Sequence, residues 1–377
     1  MGNVQFYDAT DPEVKMTWER DLFVEVARRG TVTNPALGLI GNDESSCIQR
    51  RKGAFQEGGT TSRITLQRGM RQPPAIGGEV LRDTEEGLPT IIYDWKINQI
   101  RHAFKVTSLP IVKQRIPWDV WKAAEKAHAD YWPKIWESGL ANHMAGLTID
   151  VRTVAEWWSN GANLRLTLNN VPRTPDANHV FRFDKADDAA VSLDPSAIID
   201  RDVAVELKTR AKQLPLPIRP CMVKGIGEVY VFFVHSNAIK HMKQSGSQWF
   251  GLMRDRLKGG ALDALSNACL GIDDEVLWVA WDYLPVGFTG TTAYRNTRRA
   301  VFAGAQAGAL GFAKLFEDEN TMVQETETWD YGNNKGLAVR TFAGAACPHF
   351  SVEEQGTDED YGKIVVTSYA KETVTSI

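Results

Sequence analysis

The chain has 377 residues, enough for two or three domains or for one elaborate domain. Hydrophobic residues make up 43% of it and charged residues 24%, a balance typical of a soluble globular protein. The formal net charge of -4 argues against a dedicated nucleic-acid-binding protein, which usually carries a clear basic excess, although one basic face is compatible with it.

The first 46 residues are mixed and irregular, and they contain one candidate helix near residues 17–29. The N-terminal stretch MGNVQFYDATDPEVK has no apolar signal core. No segment approaches the roughly 20 apolar residues that a membrane helix needs. We therefore expect synthesis in a cytoplasm and no membrane partner.

Residues 47–108 predict a long β-hairpin. SRITLQ (62–67) and IIYDWKINQIRHAFKVTS (91–108) have strand character, and the stretch between them is rich in Gly, Pro and charge. One flank is basic and the other acidic, so a projecting loop of this kind can join a second copy of itself. The candidate inter-subunit contacts are Arg50, Arg51, Lys52, Arg68, Arg71, Asp83, Glu85 and Glu86. A solvated loop without a partner fits the same charges, and both interpretations stay open.

Residues 116–146 predict the clearest helix, because apolar and aromatic residues recur every three to four positions. Pro117 fits its first turn, and Pro133 is expected to kink or interrupt it. A second helix is expected over residues 194–213, with Asp194 as its N-cap.

Further along the chain, residues 222–234 predict a turn and a buried strand, and residues 275–284 predict another strand. A helix is expected to begin near His235. The last section predicts two strands around a turn and a final strand at residues 363–370. This order of elements predicts an α+β fold rather than a doubly wound sheet.

The run RRAVFAGAQAGALGFAK (298–314) raises the question of a phosphate-binding loop. Its spacing departs from that of dinucleotide loops and of P-loops, because Gln306 stands where a second glycine is needed and Lys314 comes too late. We interpret the glycines as a close contact between a strand and a small-residue helix. A nucleotide-binding enzyme that uses Gly304–Gly311 is the alternative.

No other pattern in the sequence indicates a catalytic site. His235 and His241 are six residues apart, which puts them on different faces of a helix and argues against a metal pair. The four cysteines show no metal-binding spacing and are expected to be reduced, mostly buried thiols. We expect no enzymatic activity, no catalytic residue, no metal and no cofactor.

Three stretches together resemble a known family. They are VYVFFVHSNAIKHMK (229–243), NTRRAVFAGAQAGALGFAK (296–314) and ETWDYGNNKGLAVRTFAGAACPHF (327–350). Their order and spacing resemble those of the major capsid proteins of short-tailed double-stranded DNA phages, which have the Hong Kong 97-type fold. The resemblance covers most of the chain and is firmest over residues 220–350.

The resemblance implies a division of the chain into parts. The N-terminal arm is residues 1–46, the extended loop is 47–108, and the axial domain is 215–322. The peripheral domain is 109–214 and 323–377, with the spine helix at 116–146 inside it.

The resemblance also implies a function: copies form pentamers and hexamers that tile an icosahedral shell around phage DNA. It implies a separate scaffolding protein and a portal protein as partners, non-specific contact with DNA, and a place in the virion after synthesis in the bacterial host cytoplasm. It leaves open a decoration protein. An encapsulin-type cellular compartment shell, which has the same fold, is the nearest alternative.

Overall fold

The computed structural model describes residues 22–54, 61–67, 73–78, 90–108, 120–146, 168–223, 225–244, 269–289, 292–314, 321–352 and 357–371, with the single residues 82, 85, 87, 110 and 114. The strands in these ranges are β1 (Ile40–Gly41), β2 (Ile48–Ala54), β3 (Thr61–Gln67), β4 (Thr90–Lys96), β5 (Asn98–Val106), β6 (Val180–Phe181), β7 (Cys221–Val223), β8 (Gly227–Val234), β9 (Cys269–Asp273), β10 (Val276–Ala280), β11 (Gly287–Thr289), β12 (Thr292–Tyr294), β13 (Thr297–Ala303), β14 (Gly308–Lys314), β15 (Met322–Trp329), β16 (Asn334–Ala346), β17 (His349–Val352), β18 (Thr357–Asp360) and β19 (Lys363–Tyr369).

The α-helices of the described residues are α1 (residues 22–29), α2 (Val120–Met144), α3 (Asp188–Ser192), α4 (Arg201–Gln213) and α5 (Ser236–Gln244). Helix α2 is the longest of them. It ends at the buried Met144, and the next residue, Ala145, is also buried, so the C-terminal end of the helix lies inside the molecule.

A six-stranded sheet has the order β1-β2-β14-β16-β15, with β5 on the other side of β16. Strands β14 and β15 both run antiparallel to β16 and pair with successive parts of it, so they lie end to end along one side. Beyond β14 the sheet therefore narrows to β5, β16 and β15. We call this three-stranded extension the tongue.

A seven-stranded sheet has the order β6-β19-β13-β8-β10-β9, with β7 paired to β8. The turn at residues 304–307 carries the chain from β13 in this sheet to β14 in the other. One buried cluster joins α1 and α2 to both sheets, and a second packs α4 and α5 on the opposite face of the seven-stranded sheet. The two sheets and α2 therefore share one continuous core.

The structure corrects the prediction of a helix in the glycine run, because residues 308–314 form strand β14. This strand lies between β2 and β16, and every residue from 297 to 313 is buried. A strand buried on both faces has a continuous apolar sequence, which periodicity alone does not distinguish from a buried helix. The run is a contact between backbones, and it packs strands rather than a strand and a helix.

The second predicted helix starts later than its sequence indicates. Asp200 is the N-cap, and its side chain accepts a hydrogen bond from the Val203 amide. Asp194 instead accepts bonds from the amide and hydroxyl of Ser196, which makes a local turn. Both aspartates satisfy the same capping pattern, so the sequence did not separate them.

Pro133 does not interrupt α2, which runs continuously from Val120 to Met144. An internal proline costs a helix about 3 kcal/mol. Trp132, Ile135 and Trp136 on either side of it are almost fully buried, and burial of each large side chain returns about 1.5–3 kcal/mol. Packing therefore outweighs the loss of one backbone hydrogen bond.

The hairpin is narrower than the predicted segment 47–108. Only β3 and β4 pair as a separate two-stranded hairpin, from Thr61 opposite Lys96 to Gln67 opposite Thr90. The outer strands β2 and β5 belong to the six-stranded sheet. The predicted strands at 222–234, 275–284 and 363–370 and the helix near His235 are confirmed as β7 with β8, β10, β19 and α5.

Candidate assembly surfaces

The β3–β4 hairpin packs on the sheet through buried side chains, the largest of which is Trp95. Trp95 at its base is 2% exposed, and its indole ring lies against Gly311 and Gly344. A Cβ atom at either glycine would collide with the ring or with the adjacent chain near Ile97. The glycines thus make room for a large side chain that holds the hairpin to β14 and β16.

The outer part of the hairpin presents both an ion pair and apolar side chains to solvent. Arg63 donates two hydrogen bonds to the Asp94 carboxylate, at 2.8 and 2.9 Å, and these bonds lower the pKa of Asp94. Ile92 on β4 is 49% exposed, and Ile76 in the loop beyond is 77% exposed. Exposed large apolar residues of this kind are suited to contact with another protein.

The candidate contact residues of the sequence do not all lie on this hairpin. Arg50, Arg51 and Lys52 are on β2, between β1 and β14. The Arg50 guanidinium lies 5.5 Å from the Phe23 ring centroid and 5.8 Å from that of Phe312, and burial lowers its pKa. Arg50 therefore packs α1 against the sheet within one subunit.

The structure describes one of the remaining candidate contact residues. Glu85 is exposed in the loop between β3 and β4. The others lie outside the described residues: Arg68, Arg71, Asp83 and Glu86. A role for any of these residues between subunits stays a prediction.

A buried carboxylate connects the N-terminal segment to α2. Glu137 is fully buried and accepts hydrogen bonds from the amides of Val32 and Thr33 and from the Thr33 hydroxyl, at 2.8–2.9 Å. Its other oxygen accepts a 2.6 Å bond from the indole nitrogen of Trp281. Burial raises the pKa of Glu137, and the four bonds offset part of the rise. One side chain thus joins three distant segments of the chain.

A second buried group joins α3 to β13. Asp188 is fully buried and accepts a 2.7 Å bond from Arg299, which is 4% exposed. It also accepts bonds from the Arg182 side chain, the Thr367 hydroxyl and the Phe288 amide. Burial alone would raise the pKa of Asp188, but the Arg299 charge and these bonds hold it below its ordinary value.

Two cationic side chains cap the C-terminal end of α2. Arg299 donates a 2.8 Å bond to the Ala145 carbonyl, and Lys363 donates a 3.0 Å bond to the His143 carbonyl. Cations at a helix C-terminus are stabilised by the helix dipole and satisfy its last carbonyls. The end of α2 is thereby fixed to β13 and β19, so the long helix and the seven-stranded sheet form a rigid unit.

These buried networks were not predicted from the sequence. Arg299 is one of the two arginines that precede the glycine run. A charged residue beside such an apolar run is the sequence feature that indicates a buried ion pair here. Glu137 lies in a helix and Asp188 in a charged stretch, where solvated positions are the usual expectation.

The glycine run and the two histidines His235 and His241 have structural surroundings in the subunit. The glycine run is buried throughout, and Gly304 lies against the backbone of Arg219. His235 accepts a bond from the Asn237 amide, and His241 lies near the Tyr369 ring. Among the residues that the structure describes, no group of three or more His, Cys, Asp or Glu is placed to hold a metal. In the same residues no helix is long and apolar enough to cross a membrane.

The subunit combines a long helix fixed under two sheets with a separate β3–β4 hairpin and the tongue. The capsid of Ralstonia phage GP4 shares the fold, with a TM-score of 0.74 and 20% sequence identity over 99% of this chain and 100% of that chain. The capsid of cyanophage Pam1 matches with a TM-score of 0.62 and 14% identity, over 91% and 93% of the two chains.

The head of Helicobacter pylori bacteriophage KHP40 matches with a TM-score of 0.59 and 12% identity, over 88% of this chain and 90% of that chain. No curated protein matches the chain. The family model described as "Phage capsid protein" matches residues 8–372.

The chain therefore belongs to the phage capsid protein family. The Hong Kong 97-type α+β fold expected from the sequence resemblance is confirmed. The protein is a structural component of a bacteriophage shell: its copies assemble into an icosahedral capsid, and its place is the virion.

Proposed function

We propose that this chain is the major capsid protein of a short-tailed double-stranded DNA phage, and that its pentamers and hexamers build the shell around the genome. The main support for the proposal is the family match across residues 8–372. A second support is the pair of exposed apolar side chains, Ile92 and Ile76, on the β3–β4 hairpin and its loop. The subunit has no enzymatic role in this proposal.

The parts of the subunit have separate tasks in the shell. Within the arm (1–46), residues 22–46 pack on α2 and the sheets of their own subunit. The extended loop (47–108) contacts neighbouring copies through its β3–β4 hairpin, because β2 and β5 belong to the subunit's own sheet. The spine helix and the closing strands keep the peripheral domain (109–214 and 323–377) rigid, and the buried bonds of Glu137 and Arg299 support this. Loops of the axial domain (215–322) meet at the centre of each pentamer or hexamer.

Other partners complete the proposal. A separate scaffolding protein guides assembly in the host cytoplasm, a portal protein occupies one vertex, and a decoration protein is an optional addition. The inner surface contacts packaged DNA without reading its sequence, through scattered lysines and arginines.

The test is the composition of virions purified from the phage that carries this sequence. We expect this chain to be the most abundant protein of DNA-filled particles, with genome-length DNA protected from nuclease. Particles that hold a cargo enzyme in place of DNA would identify a cellular compartment shell. A minor copy number in DNA-filled virions would contradict the assignment as the major shell protein.

Two variants distinguish contact between copies from packing within the subunit at the basic residues of β2. Replacing Arg50, Arg51 and Lys52 together by Glu is expected to stop shell formation. Because Arg50 packs on two aromatic rings within the subunit, the triple variant should also unfold at a lower urea concentration. Arg51→Glu with Lys52→Glu keeps Arg50 and is the matched control. Normal shells from this double variant would contradict a contact role for this strand.

A further inference from the structure

The outer face of the tongue carries charged side chains, and its inner face packs on α2. Inner-face residues lie against α2, where His102 is 2.9 Å from His128 and stacks on the Tyr131 ring. Side chains alternate along the strands, so the intervening residues point away from α2. These outer residues are Arg101, Ala103 and Lys105 on β5, Gly336, Ala338 and Arg340 on β16, and Glu325, Glu327 and Trp329 on β15.

The charges of this outer face are separated by strand. The edge strand β15 carries Glu325 and Glu327, and the opposite edge strand β5 carries Arg101 and Lys105; all four are exposed. Within the described part of the chain, no other strand pairs with the outer edge of β15 or of β5. The tongue therefore has one acidic and one basic edge strand, and neither outer edge is covered by a strand of the described residues.

Glu327 and Lys105 of one tongue do not form an ion pair with each other across the sheet. Glu327 and Lys105 both lie opposite Gly336, on either side of it, so about 10 Å of sheet separates their strands. The Trp329 ring covers Gly336 between them, and the Lys105 amine lies 6.0 Å from its centroid. Among the described residues neither Glu327 nor Lys105 takes part in an ion pair.

A further row of the tongue brings two arginines side by side. Arg101 and Arg340 are directly opposite each other on neighbouring strands. The Glu325 carboxylate lies 3.7 Å from the Arg340 guanidinium.

We propose that the acidic β15 edge of one copy contacts the basic β5 edge of a neighbouring copy in the shell, with Glu327 and Lys105 at the centre of the contact. The proposal rests on the proposed function, because it needs many copies side by side. Such a head-to-tail contact uses different edges of two identical subunits and is the kind that closes into rings. Exposed ion pairs are individually weak, but they select the partner and its orientation, and salt weakens them.

The first test reverses the two charges separately and together in the full-length chain. Glu327→Lys and Lys105→Glu should each lower the yield of sedimenting shells about tenfold at low ionic strength, because like charges then meet. The double variant E327K/K105E restores opposite charges and should recover the wild-type yield. Circular dichroism and thermal melting verify that each variant is folded.

The outcomes of this test are distinct. Single variants that assemble like the wild type, or a folded double variant that stays as deficient as the single ones, would overturn the contact. Loss of shells from Lys105→Glu alone would assign the basic edge to DNA or to another protein, and would also overturn it. A wild-type chain that forms no shells would instead contradict the proposed function on which the inference depends.

A second measurement detects the contact directly. Copies carrying Glu327→Cys and copies carrying Lys105→Cys are co-expressed and assembled into mixed shells, and the shells are treated with a copper–phenanthroline oxidant. We expect a disulfide-linked dimer from mixed shells and not from shells of either variant alone. Mixed shells that give no dimer would contradict the proposed edge contact.

Discussion

The bond network of Glu137 gives the sharpest test of how the N-terminal segment is held. Glu137→Gln preserves the oxygen that accepts three bonds from Val32 and Thr33, but it can place an amide NH₂ where the carboxylate accepts the bond from Trp281. In the wild type the Trp281 Nε1 and Glu137 Oε2 atoms are 2.6 Å apart. In the variant an amide donor would replace the acceptor at this position and face the indole donor. A hydrogen bond to a charged group contributes about 1.5–3 kcal/mol, so we expect a loss of about 2 kcal/mol in the free energy of unfolding.

A double-mutant cycle with Trp281→Phe isolates this one bond. Phe removes the indole donor and retains an aromatic ring, so Glu137→Gln should cost about 1–2 kcal/mol less in the Trp281→Phe background. The assay is urea unfolding of the unassembled subunit, followed by circular dichroism. Glu137→Leu is the severe companion variant, since it leaves the Val32 and Thr33 amides and the Trp281 indole nitrogen without their carboxylate acceptor.

The pH dependence gives an independent reading of the same residue. The pKa of Glu137 in the folded subunit is raised above the ordinary 4.5, so the folded state binds more protons than the unfolded state between these values. In that window the free energy of unfolding of the wild type falls as pH rises, and Glu137→Gln removes this dependence. A Glu137→Gln variant as stable as the wild type, with no coupling to Trp281→Phe, would refute the reasoning.

Three further predictions concern the subunit itself. Arg299→Met leaves the Asp188 charge without its main partner and should cost about 3–5 kcal/mol in urea unfolding; because the pKa of Asp188 is lowered on folding, its contribution is present above the ordinary pKa and lost as pH falls through the folded value. Gly311→Ala should cost about 1–3 kcal/mol by displacing Trp95, and a smaller loss in a Trp95→Phe background would confirm the collision. Arg50→Ala should cost about 1 kcal/mol through its lost ring contacts, and an unchanged unfolding midpoint would contradict that packing.

Local sequence patterns predicted most of the elements, and the resemblance of three stretches predicted the family. The helix around Trp132 and Trp136 and the strand at residues 275–284 follow from periodicity and composition, which depend on neighbouring residues. Strand β14 was predicted as a helix because its burial on both faces depends on β2 and β16, which come from other parts of the chain.

The assembly surfaces depend even more on distant contacts. Asp188 looks like a solvated residue in a charged loop, and it is buried because Arg299, 111 positions away, reaches it. The separation of acid and base on the tongue follows from the register of β15 and β5 on β16, which no local pattern specifies. The basic residues of β2 show the converse: their charge suggested an exposed loop, but Arg50 packs inside the subunit.

Self-assembly is the central claim. Negative-stain electron microscopy of the purified full-length chain, co-expressed with the proposed scaffolding protein, tests it most directly. We expect the chain to form closed shells, or rings with five-fold and six-fold symmetry. A monodisperse folded monomer under these conditions would contradict it.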